Sequence, residues 1–231
     1  MKLTIFIACF NEKPTILKVI EQAKAINIDK EIIVIDNCST DGTKEILEGL
    51  KDDRGLKIIF HSKNMGAGYS AGEGINLAGG DYFYSPCADL EYKMEDVYKM
   101  MEKMEGEKLD IVFGSRILDR KDVSKFKLVK ERPYWLGTII ATFLVNLLYG
   151  KNFTDIIATK LIKTDILKRL GCKANNQAFE FELVSNLCKK GYKIGEVSVW
   201  YKPRTHKEGK TIRAFDMLPA ILAILRVKIF G

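Results

Sequence analysis

Two acidic residues, Asp89 and Glu91, stand in the run Cys87-Ala88-Asp89-Leu90-Glu91. Side chains at i and i+2 of an extended segment point to the same side, so the spacing predicts two carboxylates aimed together. Such a pair is a seat for Mg²⁺ or Mn²⁺, hard cations that take oxygen ligands and are shared with substrate phosphates. Cys87 adds little to it, because a soft thiol suits these ions poorly. The glycine run Gly66-Ala67-Gly68-Tyr69-Ser70-Ala71-Gly72 is spaced G-x-G-x-x-x-G and follows the third apolar run of the chain. A dinucleotide fingerprint is G-x-G-x-x-G after the strand that opens the βαβ unit. These glycines therefore read as a tight turn and a close helix contact. His61 and His206 lack metal-ligand spacing and read as ordinary polar residues.

Alternating strands and helices must position these groups. Expected strands are Leu3–Cys9, Glu31–Asp36, Lys57–His61, Asp81–Ser85 and Asp110–Gly114. Pro14 suits the first position of a helix carrying Ile16, Leu17, Val19, Ile20 and Ala23, and Thr40 to Thr43 supply turn and cap residues for a helix reaching Leu50. Near-continuous apolar strands between helices imply a parallel sheet covered on both faces. Ligands of such sheets sit outside the carboxyl ends of the strands. The polar residues there are Asn11 and Glu12, Asp36 and Asn37, Ser62 to Asn64, Asp89 and Glu91, and Ser115 and Arg116. The fold class expected is α/β, a mostly parallel Rossmann-like sheet flanked by helices, in one domain over residues 1–231.

With 231 residues, 47% of them hydrophobic, the chain can build one packed core and is not a disordered polymer. Five cysteines with no C-x-x-C pair argue against a disulfide scaffold or a structural zinc site, and fit a reducing compartment. The opening MKLTIFIACFNEK reads as a strand rather than a signal peptide. The net charge of +7 is uneven. Residues 115–132 carry seven basic and three acidic side chains, and residues 193–231 carry eight and three. Two local patches predict a local anionic partner, phosphates or an anionic membrane surface. No recognition motif accompanies them, so nucleic acid is not expected.

Pro133–Tyr149 has no charged residue, and its 17 residues would make a helix of about 25 Å, short of the ~30 Å hydrocarbon core. It reads either as a buried core helix or as an interfacial one presenting Tyr134 and Trp135 to headgroups. Arg213–Phe230 reads as an amphipathic, membrane-facing helix ending with Arg226 and Lys228.

The ordered set of motifs resembles family 2 glycosyltransferases of GT-A fold, and within them the polyprenyl-phosphate (dolichol-phosphate mannose synthase-like) group. Ile5–Glu12 (IFIACFNE) is similar to the family's first strand and its Asn-Glu ending. Ile35–Thr43 (IDNCSTDGT) resembles V-D-D-G-S-T-D-G-T, and Asn64–Tyr82 resembles the Asn-x-Gly helix leading to Gly-Asp-Tyr. Cys87–Tyr92 (CADLEY) resembles D-A-D-L-E-Y. Phe113–Arg116, Thr154-Asp155, Phe179–Glu182 and Tyr201–Lys210 follow in the family's order.

The resemblance implies a glycosyltransferase with a nucleotide-sugar donor, inverting the transferred sugar, at the cytoplasmic membrane face. It implies a nucleotide-sugar half over residues 1–114, an acceptor-side half over 115–212 and a membrane-facing helix over 213–231. The donor would be held by Phe10, Asn11, Glu12, Asp36, Asn37, Asn64, Gly66, Ala88 and Asp89. Asp89 and Glu91 would hold Mg²⁺ or Mn²⁺ on the diphosphate. Asp155 and Arg116 would lie at the reacting centre. Arg116, Arg132, Arg204 and Lys210 would gather the phosphate of a polyprenyl phosphate acceptor, for which Arg's planar fork is suited. The chain departs from the pattern at Asn37, where the family has Asp; at Cys38, where it has Gly; at Cys87, where it has the first Asp of D-x-D; and at Ile157, where close relatives have Glu.

Overall fold

The computed structural model describes residues 1–120, 125–172, 174–176, 178–204 and 218–230. His206, Lys210 and residues 213–217, to which the sequence assigns roles, lie outside them. The elements run β1 (Leu3–Cys9), α1 (Ile16–Ala25), β2 (Lys30–Asp36), α2 (Thr43–Glu48), β3 (Leu56–Phe60), α3 (Ala67–Leu77), β4 (Tyr82–Ser85) and α4 (Asp96–Gly106). They continue as β5 (Ile111–Ser115), α5 (Lys125–Glu131), α6 (Trp135–Tyr149), β6 (Lys160–Lys163), α7 (Thr164–Leu170), α8 (Ala178–Lys189), β7 (Ile194–Ser198) and α9 (Leu218–Phe230). Pro14 sits in the turn before α1 rather than at its first position, and Thr15 precedes the helix.

One seven-stranded sheet has the order β3-β2-β1-β4-β6-β5-β7. All pairings are parallel except those of β6, which is antiparallel to both β4 and β5. Side-chain alternation splits β1 between two apolar layers. Leu3, Ile5 and Ile7 pack under α1 and α4, while Phe6 packs with Phe83 and the α8 residues Phe179 and Val184 on the other face. That second layer also holds α6 and α9.

The pairing of Cys9 with Asp36 ends β1 and β2 level, so Phe10–Glu12 and Asn37 leave the sheet side by side. Lys160 pairs with both Ser85 and Phe113. Because β6 runs backwards, the residues that precede it, Thr154 to Thr159, lie on the same edge as those that follow β4 and β5.

Of the two readings of the apolar segment 133–149, the buried core helix holds for one side of α6. Trp135, Ala141 and Val145 are buried, whereas Leu136, Ile140, Phe143 and Leu147 face outward. Trp135 is therefore not a headgroup anchor. Helix α9 buries Ala220, Ile224 and Val227 against α6 and α8 and exposes Leu218, Leu222, Ile229 and Phe230. Among the described residues, no helix is long and apolar enough to cross a membrane.

Candidate active site

The end of β1 is tied to the loop after β2. Asn11 has a left-handed φ of +57°. Its amide donates to Ser39 Oγ at 2.8 Å, and its side-chain Oδ1 accepts from the Thr40 amide at 2.8 Å. Phe10 is exposed beside it, and Asp36 is fully buried. The Asp36 carboxylate accepts from the Ser39 amide at 3.1 Å and stands 3.8 Å from Cys9 Sγ, so it shapes the loop through Cys38, itself at φ +67°. Burial first, and Asp36 second, push the Cys9 thiol far above its ordinary value.

Asn37 is the hub of a second network. Its Nδ2 donates to Asn64 Oδ1 at 2.9 Å, and its Oδ1 accepts from the Met65 amide at 2.8 Å and lies 3.0 Å from His61 Nδ1. Asn64 Oδ1 also accepts from the Gly66 amide at 3.0 Å. The other nitrogen of His61 is 2.7 Å from Glu73 on α3. Two glycines at the start of that helix, Gly66 just before it and Gly68 in its first turn, allow close approach. A Cβ on Gly66, at φ +89°, would stand 2.3 Å from the Asn175 carbonyl oxygen, and one on Gly68 would stand 2.2 Å from that of Ala174.

Asp89 and Glu91 do meet, though not on an extended segment. The chain turns through Leu90 at φ +58°, and Asp89 Oδ1 accepts the Glu91 amide at 3.0 Å. What gathers the two is Arg204. Its amide donates to Glu91 Oε1 at 2.7 Å, and its Nη2 lies 3.4 Å from Asp89 Oδ2. The same guanidinium grips Glu12 at both ends, each contact 2.9 Å. Desolvation first, then the charge of Glu91, raise the Asp89 carboxyl above its ordinary value. Cys87 is accessible at the lip of this cleft yet closely hemmed by protein. That desolvation, with the charges of Asp89, Glu91 and Glu180, holds its thiol well above the usual range.

The second centre is the pair Arg116–Asp155. Nε donates to Oδ2 at 2.6 Å and Nη2 to Oδ1 at 2.9 Å, and both side chains are buried. The Arg116 guanidinium lies 4.4 Å from the Trp135 ring centroid and 5.1 Å from that of Tyr201. Desolvation works against the Asp155 charge, but Arg116 outweighs it and holds the carboxyl below its usual value. Glu196 on β7 accepts the amides of Thr154 and Asp155 and so fixes the loop; desolvation raises its own carboxyl.

The four cations assigned to an acceptor phosphate thus have different surroundings. Arg116 is paired with Asp155 and Arg204 with Glu12. Arg132, half-buried, donates to the Tyr134 hydroxyl at 3.4 Å; Lys210 is outside the described residues. Sequence reasoning gave no role to Glu73, Lys160, Glu180 or Glu196; it read Trp135 only as a residue presented to headgroups, His61 as an ordinary polar residue and Tyr201 only as the start of a motif match. Phe179–Glu182 was a motif match, the only signal for Glu180.

Among the described residues no three potential ligands cluster closely enough to cage a metal ion. Asp89 and Glu91 nonetheless suit Mg²⁺ or Mn²⁺ in donor chemistry, being hard oxygen ligands two residues apart, with Arg204 Nη2 3.4 Å from Asp89 Oδ2. Two carboxylates leave the remaining positions to phosphate and water.

The sequence profile of Glycosyl transferase family 2 matches residues 4–171. The chain is 30% identical over 210 residues to an uncharacterised protein of Methanocaldococcus jannaschii, MJ0544, covering 84% of this chain and 86% of that one. It is 25% identical over 206 residues to the low-salt glycan biosynthesis hexosyltransferase Agl6 of Haloferax volcanii, covering 87% of this chain and 48% of that one. The chain thus spans about half the length of Agl6. Among solved structures it is similar to glucosyl-3-phosphoglycerate synthase of Mycobacterium tuberculosis with Mn²⁺ and UDP, at a TM-score of 0.66 and 17% identity over 98% of this chain and 79% of that one. It is also similar to S. aureus TarS 1–349 with UDP-GlcNAc, at a TM-score of 0.62 and 18% identity over 100% of this chain and 67% of that one.

Proposed function

Because this chain belongs to glycosyltransferase family 2, we propose that it moves a sugar from a nucleotide-sugar donor to a polyprenyl phosphate at the cytoplasmic face of a membrane. The fold is GT-A and the chain is a glycosyltransferase. The observation that carries the reading is the meeting of Glu12, Asp89 and Glu91 on Arg204, at the carboxyl edge of the sheet where α/β folds bind ligands.

In this reading Phe10, Asn11, Asn37, Asn64, Gly66 and Ala88 line the nucleoside, with Asp36 holding the loop that presents Asn37. Asp89 and Glu91 hold the divalent ion, which when bound neutralises the diphosphate leaving group. Asp155 fixes the Arg116 fork, and the Trp135 and Tyr201 rings exclude water from it. Arg132, Arg204 and Lys210 receive the acceptor phosphate; a phosphate monoester is already an anion, so the site needs no strong base. The outward row Leu136, Ile140, Phe143 and Leu147 on α6, with Leu218, Leu222, Ile229 and Phe230 on α9, supports contact with a lipid surface.

The test is transfer of labelled sugar from UDP-, GDP- and CDP-sugars, with Mn²⁺, into vesicles containing polyprenyl phosphate. Label in the lipid phase is expected. Label only on water-soluble acceptors would replace the lipid acceptor with a soluble one, and absence of label from every donor would overturn the reading.

A further inference from the structure

A cavity of about 190 Å³ opens beside the acidic cluster, between β4, β6, α3 and α8. Its wall is chiefly apolar, with Ile75, Phe83, Ile162, Leu167, Phe179 and Leu183 among the lining residues. Cys87, two residues before Asp89, is accessible at its mouth. Two charged residues line it, Lys160 and Glu180, and they are paired, Nζ to Oε2 at 2.7 Å. The Lys160 side chain is only 6% exposed, against 42% for Glu180. The ammonium also donates to the Ala158 carbonyl at 3.0 Å and lies 5.5 Å from the Phe113 ring centroid. Thr159, the neighbouring hydroxyl, is already committed to the Ser85 carbonyl at 3.0 Å.

A lysine buried in an apolar wall gains little stability from a partner that remains half in solvent. The arrangement is instead a matched donor and acceptor at the rim of an apolar hollow, the composition of a small-ligand site. An ammonium has three protons to donate, and two are accounted for by Ala158 and Glu180. A secondary amide carrying a methyl group complements these features. Its carbonyl accepts from Lys160, its N–H donates to Glu180, and its methyl enters the apolar hollow. Cys87 suits this mouth as a neutral thiol, where an aspartate would crowd a further carboxylate against Glu180.

We propose that the Lys160–Glu180 cavity is a specificity subsite that selects donors whose sugar bears an N-acetyl group, that is, N-acetylhexosamines. The proposal rests on the nucleotide-sugar reading of the adjoining cluster.

The test uses the full chain with labelled Ile and Leu methyl groups, titrated separately with free N-acetylglucosamine, glucose and UDP, and calorimetry with UDP-GlcNAc and UDP-glucose. N-acetylglucosamine, and not glucose, is expected to shift the methyls of Ile75, Ile162, Leu167 and Leu183. If uridine is the base, UDP-GlcNAc should bind roughly tenfold tighter than UDP-glucose, about what a buried methyl and one charge-assisted hydrogen bond supply. Lys160→Met should abolish the discrimination. Glu180→Ala, at a half-exposed position, reduces it without removing a buried group, should Lys160→Met not fold. Equal responses to the two free sugars, or an N-acetyl preference unchanged in both variants, overturns the subsite. Binding of UDP without any N-acetyl preference overturns the subsite and leaves the donor reading standing. Cavity methyls that respond to N-acetylglucosamine while UDP produces no shift uphold the subsite and overturn a uridine donor.

Discussion

Arg204 holds Glu12 in a two-point grip, Nη1 to Oε2 and Nη2 to Oε1, each at 2.9 Å, across 192 residues of sequence. The contact closes the last described loop of the chain onto the end of its first strand; the same guanidinium reaches Asp89 at 3.4 Å, and the Arg204 backbone amide donates to Glu91 at 2.7 Å. Lysine carries the charge but not the fork. Arg204→Lys should therefore cost ~2 kcal/mol of stability, lowering Tm by roughly 4–8 °C in a chain of this size, and should weaken donor binding. A melting curve and a donor titration check both; an unchanged Tm would show that the grip contributes nothing.

Breaking the buried Arg116–Asp155 pair should be more damaging. Asp155→Asn leaves a guanidinium without its counter-charge, which costs about 3–5 kcal/mol. The pH dependence has a definite sign. The Asp155 carboxyl is held below its usual value, desolvation being outweighed by Arg116. Its contribution is complete above the unfolded carboxylate pKa, ~3.9, and is lost as pH falls through the lower folded value. Acid unfolding followed by circular dichroism should show a shallower limb in Asp155→Asn than in the wild type.

Asp89 should behave in the opposite sense. Desolvation and Glu91 raise its folded pKa, so its ionisation opposes folding once pH exceeds the unfolded value. Asp89→Asn should be more stable than the wild type at pH 7, with the gain fading below about pH 4, while Mn²⁺-dependent donor binding is lost. Denaturant midpoints at the two pH values, with calorimetry, separate the effects. Retention of metal-dependent binding would move the metal elsewhere.

The glycines of α3 give a paired test. A Cβ on Gly68 would meet the Ala174 oxygen at 2.2 Å, while one on Gly72 meets nothing within 4 Å. Gly68→Ala should destabilise by ~1–3 kcal/mol, and Gly72→Ala should stabilise by ~0.5–1 kcal/mol through helix propensity. Urea midpoints decide, and equal shifts would contradict the close packing of segment 174–176 on this helix.

Cys87→Asp adds a hard anionic ligand beside Asp89 and Glu91. Calorimetry should show tighter Mn²⁺ binding, along with lower stability in metal-free buffer from the added like charge. If affinity for Mn²⁺ does not rise, Cys87 does not face the ion.

The five strands β1 to β5 were legible in the sequence to within a residue or two, because each is a nearly continuous apolar run, as strands covered on both faces are, even though β3 is itself only partly buried. Part of the glycine run, Gly66 and Gly68, makes the close backbone approach that its composition permits, against segment 174–176, while Gly72 meets nothing within 4 Å. Strands β6 and β7 were not located. KLIK is four residues with a charge at each end, and every residue of IGEVS is only partly buried, so neither carries a strong periodic signal. The antiparallel course of β6 is seen only in its pairing with β4 and β5, and it is what brings Asp155 and Lys160 to the edge shared with Ser85 and Ser115. The extended geometry expected for Asp89 and Glu91 gave way to a turn at Leu90, a backbone choice that side-chain spacing does not encode. The residue types at the site, its carboxylates, arginines and glycines, were set by the sequence by itself. Which carboxylate meets which arginine was decided by tertiary structure, because Glu12–Arg204 and Arg116–Asp155 are contacts between distant segments, and only the packed order of the strands fixes their separation in space.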